Sequence, residues 1–340
     1  MDLRSWGCAV GLAAVCAAAS AVAAKPEPPK PAPAKSAAAA YAPQTDCEPA
    51  RKLPAEVDDA TRRIVCEIPA QYREEVSLAE VFGELLRRHD LAAWLTSDAL
   101  AEAGAMRDLP GEPSGWLTRE TGGRIEVRYF VRGKDGARAF ASAALPLRAP
   151  LKAVDARRLD PPQPADERER RLLAAIKLAR AQKMTYCAKA APNTVAIEYA
   201  ENDEPAQILV FLMSPWSDES APLGGHARFR LSHEGDRVLE RYEQTNACVT
   251  MPAKQLPQVA ALTVTHLTSA TPTYFHAFMS LQYRKPVFVY TTRNRMLWKV
   301  EDGRIRVLPA DSAEAEPLRD WVRDASAHDA PAPPQDARRG

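Results

Sequence analysis

"ALTVTHLTSATPTYFHAFMSLQYRKPVFVYTT", residues 261–292, decides how the C-terminal half of this chain folds. One end, "ALTVTHLT", alternates apolar and polar residues with the period of two that marks a half-buried strand, and the other, "PVFVYTT", is a short β-branched and aromatic run that also reads as a strand. The middle is the open question. In "YFHAFMSLQY", residues 274–283, Phe275, Ala277, Met279 and Leu281 also alternate, so the spacing predicts a further strand, with His276 on the other row beside Tyr274, Phe278 and Ser280. On that expectation the segments around His266 and His276 pair as a hairpin centred on Thr271. The two histidines would then face each other with Cβ atoms about 4.5–5.5 Å apart. A register shifted by one residue would put them on opposite faces.

Strand signals continue on both sides of this stretch: "TVAIEYA", "AQILVFLM", "HARFRLS" and "DRVLERYE" before it, "MLWKV" and "RIRVL" after it. Short connections such as Glu234-Gly235 and Asp302-Gly303 suit hairpins, because glycine accepts the positive φ of tight turns. One helix leads into these strands. Asp166 and Glu169 are placed to cap it, and Leu172, Leu173, Ile176 and Ala179 form its apolar stripe. Upstream, "DARRLDPPQPADERER" (155–170) breaks the periodicity with three prolines and a charge run, which predicts a domain boundary.

The N-terminal half reads as helix, then hairpin. Ser77 and Glu80 have capping-box spacing, Leu78, Val81, Phe82, Leu85 and Leu86 recur at helical spacing, and His89 is expected packed at the helix end. A second short helix follows around "LAAWLTSDALAEAG", and Asp135-Gly136 centres a hairpin. The expected fold is therefore α+β: a small helix and hairpin domain at 47–155, a linker at 156–166, a helix plus mainly antiparallel sheet domain at 167–310, and a C-terminal helix or tail at 311–340.

The chain opens with Arg4, an apolar run from Trp6 to Ala19, and Ala21-Val22-Ala23, which fits an export-peptidase site. Residues 1–24 thus read as a cleavable signal peptide. The run is shorter than the roughly 20 residues of a spanning helix. Lipidation at Cys16 is disfavoured by Val15, where a small residue is wanted. Residues 25–46, Pro/Ala/Lys-rich, read as an extended linker. Beyond the leader stand Cys47, Cys66, Cys187 and Cys248, an even number in a chain expected to reach an oxidising compartment. Of the three connectivities, Cys47 with Cys66 and Cys187 with Cys248 keeps each bridge inside one expected domain. The absence of any Cys-x-x-Cys pair argues against a zinc site.

Lys+Arg 45 against Asp+Glu 44 leaves nothing global to attract nucleic acid. Locally the balance breaks. No Asp or Glu occurs from Gln244 to Val300, while Arg284, Lys285, Arg293 and Arg295 flank expected strand ends, with Tyr283 and Trp298 nearby. Arg284, Lys285, Arg293, Arg295 and Trp298 are the candidate binding residues, for an acidic protein surface or an anionic envelope polymer.

No Gly-x-Ser-x-Gly, Gly-x-Gly-x-x-Gly or Gly-Lys-Ser/Thr motif occurs, so the nucleophile-elbow, dinucleotide and phosphate-loop chemistries have no carrier and no cofactor is implied. Histidine is what remains: His226, His266 and His276 are the candidate catalytic residues. The alternation in "HARFRL" puts His226 on a basic face with Arg228 and Arg230, opposite Ala227, Phe229 and Leu231; His233 is expected exposed in a turn with Glu234. An active imidazole needs an orienting carboxylate or carbonyl, and a carboxylate would have to come from Asp218, Glu219 or Glu243.

In "GGHARFRLS" (224–232), Cys248, "THLTSATPTYFHAFMSLQYRKPVFVYTT" (265–292) and "LWKVEDGRI" (297–305) the chain resembles a family of exported bacterial proteins of unassigned role. The likeness covers residues 224–306. It implies export and a shared fold, and no activity or functional residue. The expected function is a periplasmic or secreted, non-catalytic protein binding a macromolecular partner in the cell envelope. The competing expectations are a histidine-dependent exported hydrolase or lyase, and an inhibitor or immunity-type binder presenting the 283–299 turns.

Overall fold

The computed structural model describes residues 43–200 and 205–328. The expected leader at 1–24, most of the linker and the end of the tail lie outside the described residues. The described residues divide into two compact units, one within 43–67 and the other from Ile68 onward.

In the first unit, α1 (Glu48–Arg51) and α2 (Asp59–Glu67) are joined by the Cys47–Cys66 disulfide. Arg62 fills the turn between them, its guanidinium donating to the carbonyls of Ala50, Pro54 and Val57. So short a pair has almost no apolar core. A cross-link and one multidentate arginine hold it instead.

The second unit begins with α3 (Arg73–Glu102), one continuous helix of 30 residues. This replaces the expected pair of helices and the Ser77 cap. From Arg73 on, the sequence is rich in Leu, Ala, Glu and Arg with no proline, so nothing stops the helix, and Ser77 lies inside it. The buried face also differs from the expected stripe. Val76, Ala79, Gly83, Leu86, Ala93 and Leu100 face inward, while Leu78 and Val81 remain 45% and 60% exposed. His89 is buried in mid-helix, its Nδ1 2.7 Å from Thr118 Oγ1.

α3 packs on an antiparallel meander of β1 (Glu112–Thr121), β2 (Arg124–Gly133), β3 (Gly136–Pro146) and β4 (Val154–Pro164). The Asp135-Gly136 hairpin forms as expected, with Gly136 at φ 107°. The expected linker at 156–166 does not. Most of it is β4, paired with β3 through Arg138↔Pro164 and Ala141↔Arg158. Its prolines are tolerated because β4 is an edge strand, where missing N–H groups cost no ladder bonds.

α4 (Glu167–Arg180) starts at the expected box: Asp166 Oδ1 accepts the Glu169 N–H at 2.7 Å, and Glu169 Oε2 accepts the Asp166 N–H at 2.9 Å. Leu172, Ile176 and Ala179 turn inward onto a second antiparallel sheet of β5 (Asn193–Tyr199), β6 (Gln207–Met213), β8 (Ala227–Leu231) and β9 (Val238–Glu243). A two-stranded ribbon pairs β7 (Ser220–Pro222) with β10 (Thr250–Pro252). The Cys187–Cys248 disulfide forms, as its partner does. One apolar cluster takes Leu117, Phe130, Ala139 and Leu159 from the first sheet together with Leu172, Ile176, Val210 and Phe229. The core therefore runs straight across the boundary expected at 156–166.

The third sheet, β11 (Leu262–His266), β12 (Val287–Thr291), β13 (Met296–Glu301) and β14 (Arg304–Val307), contains the main departure. Residues 274–283 are a helix, α5 (Tyr274–Tyr283), and β11 pairs parallel with β12, Leu262↔Val287 through His266↔Thr291. Parallel neighbours need a crossover rather than a tight turn, and α5 is that crossover. Its residues are buried almost all round, from Phe275 through Ser280, so no polar face broke the apparent alternation. Gly83 sets how closely α5 meets α3: a Cβ there would sit 2.4 Å from Ala277 Cβ. Asp302-Gly303 turns β13 into β14, and Glu80 of α3 reaches that edge, its Oε1 accepting the Ile305 N–H at 2.7 Å. The chain then forms α6 (Arg319–His328), whose Trp321, Val322 and Ala325 pack on Tyr290, Leu297 and Leu308. The fold is α+β. No described helix is long and apolar enough to cross a membrane.

Candidate functional site

His226, His266 and His276 are brought together, by a helix and not by the expected hairpin. β11 ends on His266, and α5 carries His276 back over it, so the two rings meet edge to face at 4.8 Å. His226, just before β8, packs against α5 with its ring 5.3 Å from Phe275 and 6.3 Å from Phe278. It is buried, contrary to the exposed basic face expected for it. The alternation holds only inside β8, where Ala227, Phe229 and Leu231 are buried and Arg228 and Arg230 are half exposed. His226 precedes that strand, where the Gly224-Gly225 turn directs the chain inward. His233 is in the exposed turn expected of it.

Each imidazole is committed by its hydrogen bonds. Ser214 N–H donates to His226 Nδ1 at 3.0 Å, and Thr273 N–H donates to His276 Nδ1 at 2.9 Å. Both neutral rings therefore carry their proton on Nε2. Ser269 uses its hydroxyl proton on the Thr271 carbonyl at 2.6 Å, so its oxygen accepts from His266 Nε2–H at 2.8 Å. Among the described residues the buried His226 Nε2–H has no acceptor. Burial drives the three conjugate acids down: His226 to about 3, His266 to about 4 with Arg293 adding to the effect, and His276 well below its ordinary value with His266 and His226 beside it.

Chemically this is a neutral, hydrogen-bonded core cluster. A ring whose conjugate acid lies near 3 or 4 is a weak proton acceptor at neutral pH. The Nδ1 lone pairs of His226 and His276 are occupied by backbone donors, and none of the hydrogen bonds that hold the three rings comes from a carboxylate. Among the described residues no group of three His, Cys, Asp or Glu side chains is arranged to hold a metal ion. Cys47, Cys66, Cys187 and Cys248 are all in disulfides.

The expected basic surface is divided. Arg284 and Lys285 stand before β12, Arg293 and Arg295 after it, so roughly 15 Å of strand separates the two pairs. Trp298, expected at an interaction surface, is wholly buried, its Nε1 donating to Thr291 Oγ1 at 2.9 Å and its ring 5.9 Å from Tyr72. It lies on β13, in a row that faces the interior. Lys285 Nζ donates to the Val259 carbonyl at 2.7 Å, and Arg293 Nε to the Leu267 carbonyl at 3.2 Å. With Asn294 Nδ2 on the Ala270 carbonyl and Thr271 Oγ1 on Glu75 Oε2, Arg293 pins the loop between His266 and α5. Arg284 and Arg295 are exposed, both at positive φ.

Around Arg284 the fold assembles residues that no sequence motif marked. Arg87 and Asp90 lie one turn apart on α3, Asn193 opens β5, and Tyr283 ends α5. Asn193 Nδ2 donates to Asp90 Oδ1 at 2.8 Å, and Tyr283 donates to the Pro222 carbonyl at 2.6 Å. Burial pushes the Asp90 carboxyl up to about 6 against the pull of Arg87 and Asn193. Arg87 is lowered by burial and by the Arg284 charge, with Asp90 opposing, and its buried Nη1 has no hydrogen-bond partner. Trp216, 45% exposed, stands edge-on to Tyr283 at 5.9 Å. The signal available beforehand was "RRHD" at 87–90, charges inside an apolar helix. Nothing in spacing linked them to Asn193 or Trp216.

The chain matches no family model, and no curated protein or solved structure resembles it.

Proposed function

We propose that this is an exported, non-catalytic binding protein whose Arg284 surface engages an acidic macromolecule of the cell envelope. The observation that carries this reading is the pairing of Arg284 with Arg87. Two guanidiniums act on each other across a half-buried site, one Arg87 nitrogen lacks an acceptor, and the nearest carboxylate is Asp90, already engaged by Asn193. An anionic group arriving on the exposed Arg284 would offset that repulsion. The exposed Trp216 beside it supplies the aromatic area typical of contact surfaces. Two disulfides suit an oxidising compartment, as do the leader read at residues 1–24 and the likeness to exported bacterial proteins read at 224–306.

The test is retention on immobilised polyglutamate, a stand-in for an acidic chain, with elution by salt. Arg284→Glu and Trp216→Ala are expected to elute at lower salt than wild type. Arg237→Glu makes the same charge change in the turn before β9, at the end of the second sheet away from Asn193, and is expected to elute close to wild type. Equal losses in Arg284→Glu and Arg237→Glu would show that net charge alone governs retention, and the proposed surface would be wrong.

A further inference from the structure

Proline at 309 ends β14, and the chain crosses back to place α6 over the outer part of the third sheet. The helix does not seat flush. Between it and the sheet lies a cleft of about 420 Å³ whose apolar wall includes Met296, Leu297, Leu308 and Val322, with Arg295, Arg319 and Arg323 on its border. Among the described residues no carboxylate lines it. Arg323 is spent on Asp320, 2.9 Å away. Arg295 and Arg319 are both exposed, and among the described residues neither makes an ion pair. Arg319 sits in the first turn of α6, where the helix dipole disfavours a cation. Two unpaired guanidiniums thus border one apolar cleft.

We propose that this cleft binds a small amphipathic carboxylate, its alkyl chain along the partly exposed Met296, Val307 and Val322 and its head between Arg295 and Arg319. The volume falls within the ~300–1,000 Å³ of small-molecule sites, and an apolar wall with a few converging polar groups is their usual make-up. Guanidinium forks hold carboxylates through paired, charge-assisted hydrogen bonds. Tyr290, the aromatic residue of the lining, is only 1% exposed, so it offers no open ring face to a base or an aryl group. An alkyl tail is the chemistry that remains.

The experiment is calorimetric titration of the full chain with decanoate below its micelle concentration, alongside 1-decanol and anionic phospholipid vesicles, following Trp321 fluorescence in parallel. Wild type is expected to bind decanoate saturably at one site, and decanol at least tenfold more weakly. Arg295→Glu/Arg319→Glu is expected to lose at least tenfold in decanoate affinity with an unchanged melting temperature, since both side chains are exposed. Arg295→Gln, which alters one side chain only, is expected to weaken binding about threefold. Absence of saturable decanoate binding, equal affinity in the double variant, or vesicle binding that decanoate does not compete would each overturn the proposal.

Discussion

His276 shows how one side chain can serve the fold through its neutral form. It sits three residues into α5 and accepts the N–H of Thr273, the place a Glu or Gln takes in a capping box. Protonation would turn that acceptor into a donor aimed at another donor. His226 and His266, and His89 at about 4, are likewise held below 6.5 by burial. From pH 6.5 downward the unfolded chain therefore binds protons that the native one refuses. Stability is present above about 6.5 and falls through the window from 6.5 to 4, by up to about 1.4 kcal/mol per pH unit for each histidine. Asp90 works the other way. Its native carboxyl titrates near 6 and its unfolded one near 3.8, so it binds its proton earlier when folded and offsets about one histidine. Urea unfolding at pH 7, 6 and 5 is expected to show this net decline. His276→Gln keeps the capping acceptor and loses the titration, so its decline should be shallower by about 1 kcal/mol per pH unit. Parallel slopes for variant and wild type would remove His276 from the explanation.

Among the elements, the contact of α3 with α5 is the most exacting, because it depends on the absence of a side chain. Gly83→Ala would improve helix propensity by up to ~1 kcal/mol. It would also place a methyl 2.4 Å from Ala277 Cβ, with Phe278 N and the Tyr274 carbonyl 3.1 Å away, and backbone cannot yield as a flexible side chain can. Overpacking of this kind costs about 1–3 kcal/mol, so the variant should melt lower than wild type. A melting temperature equal or higher would mean that α5 shifts freely. This contact also explains which elements were legible beforehand. In the second sheet β8 alternates cleanly because one of its faces is half solvated, with Ala227, Phe229 and Leu231 against Arg228 and Arg230. The α4 cap was legible because Asp166 and Glu169 are local partners. α5 was not: it is enclosed by α3 and the sheets, so it has no wet face to reveal its period, and an apolar run of this length is ambiguous between strand and helix. The histidine cluster was found as a set of residues and misassigned as a geometry for the same reason. The Arg87–Asp90–Asn193 group, assembled from two segments about a hundred residues apart, left no local pattern that joins them.

At the scale of the whole chain, closure is long-range. Cys187–Cys248 spans 61 residues, and in the chain-entropy account such a loop stabilises by about 4 kcal/mol. Cys187→Ser/Cys248→Ser is therefore expected to lower the urea midpoint markedly, and an unchanged midpoint would show that the cross-link does not stabilise by restricting the unfolded chain. The core makes a stronger demand. Leu117, Phe130 and Leu159 share one apolar cluster with Leu172, Ile176 and Phe229, so the first sheet buries part of itself only against the α4 layer. The prolines and charges of 156–166 read as a place to divide the chain; the strand they form is instead the seam of that cluster. Ending the chain after Ala165 would strip one face of β1–β4 and expose Leu117 and Phe130 to water. At about 25 cal/mol per Å² of apolar surface, a few uncovered large side chains cost several kcal/mol, comparable to the ~5–15 kcal/mol by which a domain is stable. A fragment covering 43–165 is therefore expected to bind a hydrophobic dye and to melt without a cooperative transition. If it shows a sharp thermal transition and no dye binding, the first sheet is an independent domain and the shared core is not what holds it.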